Sequence, residues 1–241
     1  MKKILLLLIA LPTLLAFTAC GGNFSQAGEK SAAPAKSASG EKAQPPSAAG
    51  PISSGAGKRL VVYFSMPETA TPGNMTREEE NSTVVVDGRV LGNTQYVAEI
   101  IQRRTGADLF RIEPAAPYSL EHKALVAQAK KEQQQAFRPA LKAGVENLNE
   151  YDVIFLGYPN WWGDMPMILY TFLESYDLSG KTIVPFNTHG GSGFSNTIET
   201  IQKLQPNAVV RQNGFTVSRN VVQEAEPDLA AWLKELGYAG E

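Results

Sequence analysis

The sequence predicts an α/β protein with a doubly wound, five-stranded parallel sheet. Three observations predict it. Apolar, β-branched runs recur, as expected of strands buried on both faces. A segment of helical periodicity follows each run, and loops marked by glycine or proline separate them. Strand and helix alternate in this way from Arg59 to Glu241, 183 residues, enough for one domain with a sizeable core. Parallel strands joined by right-handed crossovers follow.

Each element has its own justification. RLVVYFS (59–65) is a continuous apolar and aromatic strand. TQYVAEIIQRRTG (94–106) carries Val97, Ile100 and Ile101 at helical spacing and closes on Gly106, a helix stop. ADLFRIEP (107–114) alternates and is the second strand. SLEHKALVAQAKKEQQQAF (119–137) is a helix with Ser119 and His122 in its cap positions. YDVIFLGYP (151–159) is the third strand, and MPMILYTFLESYD (165–177) a helix with Pro166 near its start, where proline is tolerated. SGKTIVPFNTH (179–189) is the fourth strand and FSNTIETIQKLQ (194–205) its helix. NAVVRQNGFTVSR (207–219) is the fifth strand, interrupted at Gly214, and EPDLAAWLKELG (226–237) closes the fold.

In such sheets the ligand sits beyond the carboxyl ends of the strands, at the switch point. Three loops therefore matter. The first is split: Ser65 ends strand one, but Gly92-Asn93-Thr94 opens the following helix only after the 26 residues Met66 to Leu91. That insertion holds a charge run, Arg77-Glu78-Glu79-Glu80, read as a solvated face, and STVVVDGRVLG, read as a hairpin turning at Asp87-Gly88. The length of the connection makes it either functional or a surface decoration.

Ser65, Asn93 and Thr94 place small polar groups at a strand end and a helix start, where free amides and the helix dipole suit a phosphate. Plain helix capping explains the same residues. In GYPNWWGDMP (157–166), Trp161 and Trp162 beside Gly163 suit a planar ligand stacked on indole, with Tyr158 as a further ring. A packed surface loop or a protein interface is the alternative. THGGSG (188–193) exposes backbone that can reach the polar edge of a heterocycle, or is an ordinary glycine turn. Ser192 is no hydrolase nucleophile, because Phe194 stands where the elbow needs glycine. No G-x-G-x-x-G follows strand one.

Taken in order, YFS…GNTQYVAEII, DVIFLGYPNWWGDMP and DLSGKTIVPFNTHGGSGFSNTIETI resemble the flavodoxin-like family, and its bacterial lipoproteins in particular. The resemblance covers residues 59 to about 236. It implies the strand order 2-1-3-4-5, with an insertion at 66–91, and FMN as cofactor. It assigns the phosphate to Ser65, Asn93 and Thr94 with Met66 contributing backbone. It assigns the cover of the isoalloxazine ring to Tyr158, Pro159, Asn160, Trp161 and Trp162, and the ring's polar edge to Thr188, His189, Gly190, Gly191 and Gly193. A carbonyl near Gly163 is the expected acceptor for the reduced ring's N–H. The tight Ser-x-Thr-Gly-Asn-Thr turn of shorter members is here broken by Met66 and the insertion. His189 is the candidate catalytic residue, hydrogen-bonding the flavin edge or a quinone oxygen; capping its loop is the other reading. His122 is read as structural; Asp164 and Glu68 lie near the pocket loops, and nothing in the spacing pairs them as acid and base.

The ends of the chain bound the setting. Residues 1–19 open with Lys2 and Lys3, continue apolar through Phe17 and end on small residues, the pattern of a secretory signal. Phe17-Thr18-Ala19-Cys20 resembles the lipobox of bacterial lipoproteins, which implies acylation of Cys20, the single cysteine. Export without lipid and a retained anchor helix are the alternatives. Residues 20–58, rich in Gly, Ser, Ala and Pro, read as a tether, and 59–241 as the domain. That domain carries sixteen basic and twenty-two acidic side chains, which disfavours nucleic acid. The expected setting is the periplasmic or outer face of a membrane, the outer membrane in a Gram-negative cell. The expected partner is a redox protein or a small quinone-like acceptor. An FMN-dependent NAD(P)H:quinone or nitro-compound reductase is the enzymatic alternative. An interaction module without flavin is the third reading.

Overall fold

The computed structural model describes residues 57–238. The signal segment 1–19, Cys20 and all of the tether but its last two residues lie outside them. In chain order the elements are β1 (Lys58–Tyr63), α1 (Arg77–Ser82), β2 (Thr83–Val86), β3 (Arg89–Gly92) and α2 (Asn93–Thr105). Next come β4 (Asp108–Arg111), α3 (His122–Gln134), β5 (Tyr151–Pro159) and α4 (Met167–Ser175). Last come β6 (Thr182–His189), α5 (Thr197–Leu204), β7 (Val209–Val210), β8 (Phe215–Ser218) and α6 (Glu226–Glu235).

The main sheet is parallel, in the order β4-β1-β5-β6-β7, with β8 also on β6. This is the expected 2-1-3-4-5 order. Strand one starts one residue early, at Lys58, whose ammonium pairs with Glu150 and Asp108.

The fifth strand is two pieces, and Pro185 explains why. Ile183 and His189 accept main-chain hydrogen bonds from Arg211 and Arg219. Odd-numbered residues of β6 therefore face that edge, and Pro185 among them has no N–H to give. β7 pairs with 182–183 and β8 resumes at Phe186, on either side of the proline. Gly214 fills the gap because a Cβ there would lie 2.6 Å from the Pro185 carbonyl oxygen.

Each sheet face carries its own core. Leu60, Val62, Phe64, Ile154 and Leu156 pack with Leu125, Ile168, Phe172 and Ile201 on one side. Val61, Tyr63, Phe155 and Phe186 pack with Val97, Ile101, Leu229 and Trp232 on the other. Each such fully buried side chain contributes about 1.5–3 kcal/mol, so the strand ends that carry the loops are held rigidly.

Of three helix boundaries, one stands as expected and two differ. α2 ends as expected, on Gly106 in the left-handed region at φ 67°. α3 starts at His122 with Glu121, not Ser119 or His122, as its cap: the Glu121 carboxylate accepts from the amides of Lys123 and Ala124. α5 starts at Thr197 instead of 194, because Ser195 at φ 52° cannot be helical.

The insertion is structured. β2 and β3 form the expected antiparallel hairpin, turning on Asp87 (φ 49°) and Gly88 (φ 75°). The charge run is largely exposed, as expected of a solvated face; it opens α1, whose start is closed by a reciprocal Thr76–Glu79 capping box, and Arg77, Glu78, Asn81 and Ser82 of that helix also line the cavity described below.

Candidate functional site

A cavity of about 540 Å³ opens at the carboxyl ends of β1, β5 and β6, within the range of small-molecule sites. Ser65 and Gly92 build its first corner. The Ser65 hydroxyl accepts the Gln95 amide of α2's first turn at 3.2 Å. A Cβ on Gly92 would lie 2.2 Å from that hydroxyl oxygen. A side chain at 92 would force that hydroxyl aside or the two chain segments apart. The hairpin thus returns the chain to the end of β1 and restores across 26 residues what a tight turn would supply.

Gly92 caps α2 without a side-chain bond. The first amides of a helix have no intrahelical acceptor, so those of Asn93 and Thr94 are available to a ligand. The Thr94 hydroxyl meets that of Thr188 at 2.8 Å in the protein interior, tying this corner to the end of β6. Asn93 Nδ2 donates to the Asn81 carbonyl, while its Oδ1 is buried without a partner.

The aromatic loop answers for its unusual composition through backbone geometry. Trp161 and Asp164 exchange both main-chain hydrogen bonds, at 2.8 and 3.1 Å. Between them Trp162 (φ 57°) and Gly163 (φ 78°) occupy the left-handed region, the signature of a two-residue reverse turn. Asn160 fastens the turn: its Oδ1 accepts the Gly163 amide, its Nδ2 donates to the Gly193 carbonyl, and its amide donates to the Thr188 carbonyl. The two indoles then diverge. Trp161 packs edge-on against Phe64 and Tyr118, at 5.5 and 5.8 Å between centroids. Trp162 is 53% exposed, with the Lys130 ammonium 4.8 Å from its ring centre.

In the glycine loop His189 Nδ1 accepts the Gly191 amide at 2.8 Å, which places the neutral ring's proton on Nε2. Burial lowers the His189 pKa below its usual value and so favours that neutral form. The Arg219 guanidinium lies against Gly190, 3.3 Å from where a Cβ would stand.

Of the expected site residues, Ser65, Met66, Asn93, Thr94, Pro159, Asn160, Trp161, Trp162, Thr188, His189 and Gly190 line the cavity. Tyr158 does not. It is fully buried beneath the loop, its hydroxyl donating to Thr197 at 2.8 Å, and strand alternation turns it away from the opening. Gly163, Gly191 and Gly193 shape the turns instead of forming walls. Sequence reasoning missed Arg77, Glu78, Asn81 and Ser82 of the insertion, Arg219, and a face of α3. The α3 signal was legible as spacing: His122, Leu125, Val126 and Ala129 fall at i, i+3, i+4 and i+7. Glu68 lies at the cavity as expected, and its carboxylate binds His122 Nδ1 at 2.8 Å. Asp164 accepts from the Met165 amide and the Tyr170 hydroxyl.

The family model for flavodoxin matches residues 83–236. The chain belongs to the flavodoxin family. Among solved structures, a provisionally assigned flavoprotein from Bacteroides eggerthii DSM 20697 is 32% identical, with 74% of this chain and 96% of that one covered at TM-score 0.55. A second, from Bacteroides uniformis ATCC 8492, is 29% identical over 70% and 96%, at TM-score 0.50. A flavoprotein from Lactobacillus acidophilus NCFM, solved in complex with FMN, is a weaker likeness at 18% identity and TM-score 0.48. No curated protein matches.

FMN is the cofactor of the flavodoxin fold, and the residues present suit it. The helix start at Gly92, which has no side-chain cap of its own, suits an anionic phosphate. The unpartnered Asn93 Oδ1 is an acceptor of the kind a sugar-alcohol hydroxyl satisfies. The tryptophan turn and the glycine loop bound the same cavity, as a flat ring between two walls requires.

Proposed function

We propose that this flavodoxin is an FMN-dependent redox protein, held by lipid on Cys20 at the outer face of a bacterial membrane, that passes electrons to a redox partner or a small quinone-like acceptor. The observation that carries the redox part is the convergence of α2's free amides, the Trp161–Trp162 turn and the glycine loop on one cavity. When bound, FMN supplies one- and two-electron transfer. The chain's own residues do the rest. Thr94, Ser65 and the first amides of α2 hold the phosphate. Trp161 and Trp162 exclude water from the ring face. The glycine loop presents amides, and neutral His189 an Nε2–H donor, to the polar edge.

The test is an absorption spectrum of the full chain extracted in detergent, before and after FMN addition and dialysis. Retained flavin bands support the reading, and a protein that stays colourless overturns it. The anchor rests on Lys2, Lys3, the apolar run and Cys20. Cys20→Ala is expected to abolish fatty-acid labelling and move the protein from the membrane to the soluble fraction. Unchanged labelling would end the lipid assignment. Consumption of NADH or NADPH by the flavin-loaded chain alone would make it a reductase; dependence on a second protein would make it a carrier.

A further inference from the structure

The last turn of α3 buries a carboxylate that none of the contacts above requires. Glu132 is 6% exposed. Its Oε2 accepts the Tyr118 hydroxyl at 2.8 Å, and its Oε1 accepts the Gln128 side-chain amide at 2.9 Å. Both partners are neutral, and among the described residues no salt bridge includes Glu132. Burying a carboxylate without a cation costs folding energy that an apolar side chain would not. What the carboxylate gives in return is direction, and the group it directs is the Tyr118 ring. Tyr118 lies between β4 and α3, outside every helix and strand, so no backbone ladder places it. It is nonetheless buried, and its ring stands edge-on to Trp161 and Phe64, at 5.8 and 5.9 Å between centroids. Burial, and then the bond to Glu132, hold the Tyr118 pKa well above its usual value, so the hydroxyl keeps the proton it donates. Gln133, the next residue of α3, donates to the Trp162 carbonyl at 3.3 Å. One helical turn thus reaches both tryptophans, Trp162 through its backbone and Trp161 through Tyr118.

We infer that Glu132 and Tyr118 are positioning residues for the aromatic cover of the flavin: Glu132 orients Tyr118, and the Tyr118 ring holds the Trp161 indole in its place at the cavity wall. The inference rests on the FMN reading for what Trp161 covers. Neither Glu132 nor Tyr118 lines the cavity, so each acts on the cofactor through Trp161. Losing the Tyr118 hydroxyl leaves the ring free to tilt, and the edge-on contact that fixes the indole goes with it.

The experiment is a double-mutant cycle on FMN affinity, read from the quenching of flavin fluorescence by the full chain extracted in detergent. Tyr118→Phe keeps the ring and loses only the hydroxyl. It is expected to weaken FMN binding about fivefold in the wild-type background and by less than about twofold in the Trp161→Ala background. Glu132→Gln keeps an acceptor for the Tyr118 hydroxyl and should stay near wild type, whereas Glu132→Leu should match Tyr118→Phe. The same cycle is run without FMN on the tryptophan bands of the near-ultraviolet circular dichroism. There the change caused by Tyr118→Phe should disappear in the Trp161→Ala background. A far-ultraviolet spectrum like that of wild type reports an intact fold in each variant. Equal loss of affinity in the two backgrounds, or no loss in either, overturns the positioning role and leaves the FMN reading standing. A chain that takes up no FMN overturns that earlier reading instead, and the dichroism cycle then decides by itself whether Tyr118 places Trp161.

Discussion

The two ends of the cofactor cleft are built in opposite ways. The aromatic end is one contiguous stretch, Asn160 to Asp164, folded on itself by two left-handed residues and pinned by a single asparagine side chain. The end proposed to hold the phosphate is assembled from Ser65 and Gly92–Gln95, which meet only because a hairpin carries the chain back. A contiguous site resists changes elsewhere in the chain. An assembled one depends on the close approach of Gly92 and Gln95 to the Ser65 side chain, and a single added carbon can disturb it.

The largest effect should follow from Gly92→Ala. Its Cβ would stand 2.2 Å from the Ser65 hydroxyl, so that hydroxyl must swing off the Gln95 amide or strand end and helix start must separate. FMN affinity is expected to fall about a hundredfold or more, roughly 2.7 kcal/mol. Near-ultraviolet circular dichroism should meanwhile keep its tryptophan signal. Affinity within a factor of three of wild type would show that the assembled end tolerates separation.

Next come the tryptophans, which should part company. Trp161→Ala removes edge-on packing against Phe64 and Tyr118, and is expected to cost about 3 kcal/mol of stability by urea denaturation. Trp162→Ala touches an exposed ring and should change stability by no more than about 0.5 kcal/mol, yet weaken FMN binding. Equal losses of stability would mean that the turn does not divide its two indoles as described.

Ser65→Ala is smaller. It removes the acceptor of the Gln95 amide, worth about 1 kcal/mol, and should lower FMN affinity several-fold without loss of fold. The smallest effect concerns His189. Burial lowers its pKa in the folded state, so folding favours the neutral ring. The corresponding stability is fully present above the unfolded value near 6.5 and is lost as pH falls through the lowered folded value. Wild type should lose stability relative to His189→Gln as pH drops from about 6.5, in parallel denaturation series. The opposite slope would mean that protonated His189 gains a partner.

The parts that were legible share one property. Strand runs such as 59–65 and 151–159, the Gly106 stop and the Asp87-Gly88 turn each follow from neighbours in the chain. Tyr158 shows where such reading fails. Its place in the aromatic loop suggested a ring wall, but it is the last inward residue of β5, and alternation buries it against Thr197. α1 shows the reverse. Its glutamates are solvated as read, and what the local pattern did not show is that the hairpin also brings Arg77 and Glu78 to the cavity.

Sequence alone therefore determined the alternation of strand and helix, the order of the sheet through its family pattern, and the chemistry of the three loops. Those follow from periodicity, turn preference and side-chain type, which act over a few residues. Only the tertiary structure decided which side chains share a cavity: that Ser65 meets Gly92, that Glu68 holds His122, that Pro185 divides the fifth strand. Each is a contact between segments far apart in the chain, set by backbone approach and by which face of an element turns inward, and neither is written in the local pattern.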